Sequence, residues 1–159
     1  MNVLKHPPIV KSIAWPDEAA TQSFAKVLAA HGAINNMTIE LNGDLGAGKT
    51  TFVRHLLAAL GVEGRVKSPT YAVVETYLLP SGTDVWHFDF YRFNDPREWD
   101  EAGFRDMFGS PGLKLVEWPE KAGAYLPQCD LKLAIDVLPD ETRSVQLSAF
   151  TVAGAELLA

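Results

Sequence analysis

The chain has 159 residues, 47% hydrophobic and 21% charged, the size and mix of one globular domain that buries a core without disulfides or metals. Its net charge of -6 argues against a protein that grips nucleic acid by itself, because phosphate contacts call for a basic surplus. The single cysteine, Cys129, excludes an internal disulfide and fits a reducing compartment. The first twenty residues include Lys5, Lys11, Asp17 and Glu18 without a long apolar run. Neither a secretory leader nor a membrane span is therefore expected, and the expected location is cytoplasmic.

Residues 9–14 read as a short strand. From Pro16 the pattern is helical: Asp17 and Glu18 favour a helix N-terminus, Phe24, Val27 and Leu28 share a face, and Gly32 is a stop. Met37–Asn42 alternates as a strand and runs straight into a glycine-rich loop. Beyond it Phe52, Val53, Leu56, Leu57 and Leu60 form one helical stripe ending at Gly61. Residues 71–79 and 84–92 read as strands of an antiparallel hairpin, joined by the turn Pro80-Ser81-Gly82-Thr83. Residues 95–108 read as a helix capped by Asp95 with Pro96 in first position. Strands follow at 113–118, Leu131–Val137 and 144–150. The tail after Phe150 carries no signal. With no repeat or linker in view, the expectation is a single domain over 1–159. Its fold would be α/β, a mixed β-sheet flanked by helices with an antiparallel hairpin.

Gly43, Asp44, Leu45, Gly46, Ala47, Gly48, Lys49 and Thr50 match G-x-x-x-x-G-K-[ST], a pattern that arises by chance in such a chain about half a percent of the time. The flanking strand and helix are those the chemistry needs. Glycines allow positive φ, so the backbone can wrap phosphates, and the helix N-terminus faces the same anion. Lys49 supplies a charge for the β and γ phosphates of ATP, and the Thr50 hydroxyl is a natural Mg2+ ligand. A glycine-rich turn that binds nothing is the alternative.

Such a loop does not by itself name a reaction. No Asn-Lys-x-Asp base reader of GTPases is present. Asp106-Met107-Phe108-Gly109 matches D-x-x-G but ends a helical stretch, so it reads as coincidence. An apolar run ending in aspartate is also missing. Leu113-Lys114-Leu115-Val116-Glu117 is the nearest substitute, with Glu117 either a Mg2+ ligand opposite Thr50 or a solvated strand-end carboxylate. In Trp86-His87-Phe88-Asp89-Phe90-Tyr91-Arg92, alternation puts His87, Asp89 and Tyr91 on one face. That face presents either catalytic groups to a cleft or polar groups to water. Lys67-Ser68-Pro69-Thr70 is either a switch-like loop or an ordinary turn.

Four motifs in order, GDLGAGKTT from Gly43 to Thr51, VKSPT from Val66 to Thr70, HFDFYR from His87 to Arg92 and EWPE from Glu117 to Glu120, resemble the TsaE family. This is the bacterial P-loop ATPase family of transfer-RNA threonylcarbamoyladenosine formation. The resemblance covers about residues 16–143; Phe90 and Phe93 stand where members more often carry leucine. It implies that residues 43–51, Thr51 included, wrap the phosphates of ATP, and that Thr50 and Glu117 hold Mg2+. It also implies that Asp89 orients the attacking water or supports the metal, that Thr70 lies in a switch loop, and that Glu18 and Arg143 flank the adenine. Trp118 reads as a packing or partner residue. The implied partners are TsaB and TsaD, with transfer RNA met only through that complex and no membrane involved. A small-molecule kinase and a non-hydrolytic ATP-dependent binding module are the rivals. The scattered arginines, without a lid-like cluster, disfavour the kinase.

Overall fold

A computed structural model describes residues 8–66, 69 and 72–158. Seven strands form one mixed sheet in the order β1-β7-β6-β2-β5-β4-β3. They are β1 Ile9–Trp15, β2 Met37–Asn42, β3 Val74–Leu78, β4 Asp84–Asp89, β5 Leu113–Glu117, β6 Leu131–Val137 and β7 Arg143–Ala149. The centre is parallel: β2 pairs with β6 on one side and β5 on the other, and β5 pairs with β4. Both margins are antiparallel, β3 on β4 and β7 between β6 and β1. β5 is buried at every position, as a central strand covered on both faces must be.

Helices α1 (Glu18–Ala29) and α2 (Lys49–Ala59) cover one face. Asp17 caps α1 by accepting the Ala20 N–H at 2.9 Å. Phe52, Val53, Leu56 and Leu57 of α2 pack with Ile39, Leu41, Leu115, Leu133 and Leu147 into the main core, and Leu60 packs at its border. Within the α1 stripe Leu28 is buried but Val27 is exposed, so the apolar face is narrower than its sequence reads. α1 ends before Gly32, which opens a 3-10 turn, Gly32–Asn36.

A second core on the opposite face joins Phe88 and Val116 to Phe90, Phe93, Trp99, Phe104 and Ala122. Here the expected helix over 95–108 is two short helices, α3 Arg97–Glu101 and α4 Arg105–Gly109. Gly103 at φ +76° breaks them apart. Asp95 does not cap a long helix; it accepts the Arg97 N–H at 2.9 Å and pairs with the same guanidinium. The hairpin turn 80–83 closes as expected, Leu79 N–H donating to the Thr83 carbonyl, although β3 begins only at Val74. Tyr71, Lys67, Ser68 and Thr70 lie outside the described residues. The tail forms helix α5, Val152–Leu157, capped by Thr151, whose hydroxyl also donates to Asp130 at 2.7 Å.

Gly112 sets the foot of β5. At φ +140° its Cα lies so close to β4 that an added Cβ would stand 2.5 Å from the Asp84 carbonyl oxygen and 2.6 Å from the Trp86 ring. Its own carbonyl accepts the Met37 N–H at 3.2 Å, tying β5 to the start of β2.

Candidate functional site

Because β2, β5 and β4 are parallel, their C-terminal ends open on one edge of the sheet, where α/β proteins place ligands. The glycine loop leaves β2 there. Gly43, Gly46 and Gly48 take φ of +155°, +80° and +111°, and Gly48 caps α2. Asp44 and Leu45 are exposed while Ala47 is buried, so the loop anchors by one small side chain and shows its crest.

Lys49 opens α2 yet is buried, its ammonium donating to the Gly43 carbonyl and lying 3.8 Å from the Trp118 ring centroid. Burial pulls its proton affinity below the usual lysine range, against the opposing pull of Glu117, Glu120, Asp89 and Asp44. Trp118, in the left-handed conformation at φ +57°, is half-buried and meets Tyr91 ring to ring at 4.9 Å.

Thr50 points its hydroxyl at β5, 3.0 and 3.1 Å from the two carboxylate oxygens of Glu117. Glu117 is only 2% exposed, so it is no solvated strand-end carboxylate. Asp89 ends β4 in direct register with Glu117. It is 6% exposed, accepts the Tyr91 N–H at 2.9 Å, and is held above the usual carboxylate range first by burial. β4 stops there, so Tyr91 turns out to an exposed position instead of continuing the polar face. That face does not meet water: His87 beneath is fully buried, and its Nε2 lies 2.6 Å from Glu117 Oε2.

Two flanking segments complete the rim. Arg143, at the start of β7, donates from Nε to the Ala47 carbonyl at 3.0 Å. Glu18, at the start of α1, lies 3.3 Å from His55 of α2. Glu18 and Arg143 line one small cleft with Trp15, Thr21, Gly48 and Thr51. A larger cavity of about 480 Å³ lies among Thr38, Lys114, Asp130 and Glu156 but gathers none of the four motifs. Of the loop before β3, Pro69 and Val73 are described: the Val73 N–H donates to the Pro69 carbonyl, and the Val73 carbonyl accepts the Asp89 N–H at 2.9 Å. The structure thus brings Lys49, Thr50, Asp89 and Glu117 together and sets Glu18 and Arg143 at the rim, while Thr70 lies outside the described residues. Sequence reasoning placed His87 on the right face, as a group presented to a cleft or to water, but not as the buried partner of Glu117. Its bond to Glu117 depends on the pairing of β4 with β5.

A seven-stranded mixed sheet with a lysine-bearing glycine loop between its central strand and a helix defines the class: a single-domain α/β fold whose candidate site lies at the ends of its parallel strands. Comparison places the chain within that class. The family described as "Threonylcarbamoyl adenosine biosynthesis protein TsaE" matches residues 15–145, and the chain belongs to this family. Its relatives include the tRNA threonylcarbamoyladenosine biosynthesis protein TsaE of Haemophilus influenzae, 40% identical over 90% of this chain and 92% of that one. The Bacillus subtilis protein of the same name is 34% identical over 88% and 87%. The crystal structure of Bacillus subtilis YdiB superposes with a TM-score of 0.77 at 27% identity, covering 97% of this chain and 95% of that one. Among the described residues no helix is long and apolar enough to cross a membrane.

Proposed function

We propose that this chain is an ATPase that hydrolyses Mg-ATP as an accessory subunit in threonylcarbamoyladenosine formation on transfer RNA. The observation that carries the reading is the Thr50 hydroxyl set against both oxygens of a buried Glu117, directly beneath a loop of three positive-φ glycines. Hydroxyl and carboxylate oxygens suit a hard cation such as Mg2+, which keeps waters and takes phosphate oxygens for its remaining positions. A dedicated cage is not needed, and among the described residues no group of three or more ionisable ligands forms one. Thr50 and Glu117 would hold the ion, which supplies charge neutralisation at the transferring phosphoryl group.

The remaining work falls to the chain. Residues 43–51 wrap the phosphates, and Lys49 turns its ammonium from the Gly43 carbonyl and the indole onto the β and γ oxygens. Asp89, beside Glu117, orients the water that attacks the γ phosphate, and Thr70 senses that phosphate. Glu18 and Arg143 flank the adenine at the rim cleft. No residue here forms a covalent intermediate; catalysis is positioning and electrostatics. The family membership supports a place beside TsaB and TsaD, with RNA gripped by another subunit, in keeping with the acidic charge.

The test is phosphate release into water from ATP and from GTP, by the chain alone and with the TsaB–TsaD complex. Slow release alone, faster release with the complex and preference for ATP are expected. No release in either setting would leave a binding module, and release only with an added acceptor would make it a kinase.

A further inference from the structure

We propose that His87 is the positioning residue that sets the Glu117 carboxylate for the metal; this deepens the assignment of Thr50 and Glu117 as the Mg2+ pair and rests on it. His87 on β4 is paired with Leu115, one step before Glu117 on the same face of β5, so its ring reaches diagonally to the carboxylate. The Nε2–Oε2 distance is 2.6 Å, with the two side chains 0% and 3% exposed. An ionised carboxylate only accepts hydrogen bonds, so Nε2 carries the hydrogen and donates.

The two oxygens of Glu117 are thereby made unequal. Oε2 is shared between His87 and Thr50, whereas Oε1 meets the Thr50 hydroxyl at 3.0 Å. Clamping Oε2 fixes the rotation of the carboxylate and presents Oε1 beside the Thr50 hydroxyl, under the glycine loop. Groups behind a metal ligand commonly orient it in this way.

The other ring nitrogen shows why the imidazole is not mere filling. Nδ1 is buried with no hydrogen-bond partner among the described residues. A buried polar atom left unpaired carries a desolvation cost, and a leucine would occupy similar space without it. What the imidazole adds at this position is the bond to Glu117.

The experiment measures how much Mg2+ is needed to support binding of a non-hydrolysable ATP analogue by calorimetry, with a parallel titration in EDTA. His87→Leu removes the donor. His87→Gln keeps an amide N–H near the Nε2 position, and His87→Asn has an amide too short to reach. We expect His87→Leu and His87→Asn to need about 10–100-fold more Mg2+ and His87→Gln to stay within about threefold of wild type, with EDTA affinities equal throughout. Should His87→Leu not fold by circular dichroism, the Asn and Gln pair decides. Wild-type Mg2+ dependence in His87→Asn, or an equal loss in EDTA, would overturn the proposal alone. A wild-type protein whose analogue binding ignores Mg2+ would overturn the Thr50–Glu117 assignment with it.

Discussion

Asp89 and Glu117 are register partners on the adjacent parallel strands β4 and β5, so two carboxylates end side by side at the sheet edge. Burial holds Lys49 below the usual lysine range and Asp89 above the usual carboxylate range, and the attraction between the two opposes both shifts without cancelling them. The site is thus a small, largely buried set of opposed charges whose balance shifts when any member is removed.

Removing the ammonium tests the phosphate contact. Lys49→Ala is expected to weaken binding of an ATP analogue by about 10–100-fold, the range of a charge-assisted hydrogen bond lost from a shielded site. The melting temperature without nucleotide should change little, because the desolvation of a buried ammonium offsets the contacts it makes. Calorimetry and a thermal melt on the same preparation check both; native affinity would remove Lys49 from the phosphate site.

Neutralising Glu117 without changing its shape separates binding from turnover. Glu117→Gln should retain analogue binding in EDTA, lose most of the enhancement that Mg2+ gives, and release phosphate about 100-fold more slowly or worse. A variant that turns over normally would deny Glu117 any part in the chemistry.

Away from the site, Glu40 on β2 faces Lys132 on β6 at 3.8 Å and is held above the usual glutamate range first by burial. A carboxyl with a raised folded-state value contributes most to stability when protonated, and that contribution is lost as pH rises through the folded value. Glu40→Gln should therefore melt higher than wild type at pH 7 to 8, by about 2–4 °C for each kcal/mol relieved. The advantage should shrink toward pH 4; a difference that instead grows on acidification would reverse the sign of the argument.

Docking of α5 hangs on Gly154, where an added Cβ would stand 2.0 Å from the Asp130 carbonyl oxygen. Gly154→Ala should destabilise by about 1–3 kcal/mol through overpacking, a fall of roughly 3–10 °C in a thermal melt. An unchanged melt would mean that α5 contributes nothing to the folded domain.

What could be read in advance was what is local. The spacing of Gly43, Gly48, Lys49 and Thr50 sits within one turn, and a strand before it and an apolar stripe after it suffice to place it. The hairpin was legible for the same reason, through Pro80 and Gly82. Glu117 needed the family resemblance, since nothing at the end of a strand tells whether it meets Thr50 or water. The bond from His87 was out of reach because it depends on which strands are neighbours, and a single sequence carries no such register. At residues 95–108 the helical pattern was real, but Gly103 in a left-handed conformation outweighed it. The tail hid α5 because six residues hold less than two turns of periodicity; the cap at Thr151 and the apolar Leu157 were the signals available.

Remoteness offers little shelter in this sheet, and Gly112 shows why. An extended strand advances about 3.3 Å per residue, so Glu117 stands about 16 Å from the bare backbone contact that seats β5 against Asp84 and Trp86. A side chain introduced at Gly112 would press β5 off β4, the pairing that sets Glu117 beside His87 and Asp89, and would be felt at the candidate site from a position that touches none of its residues.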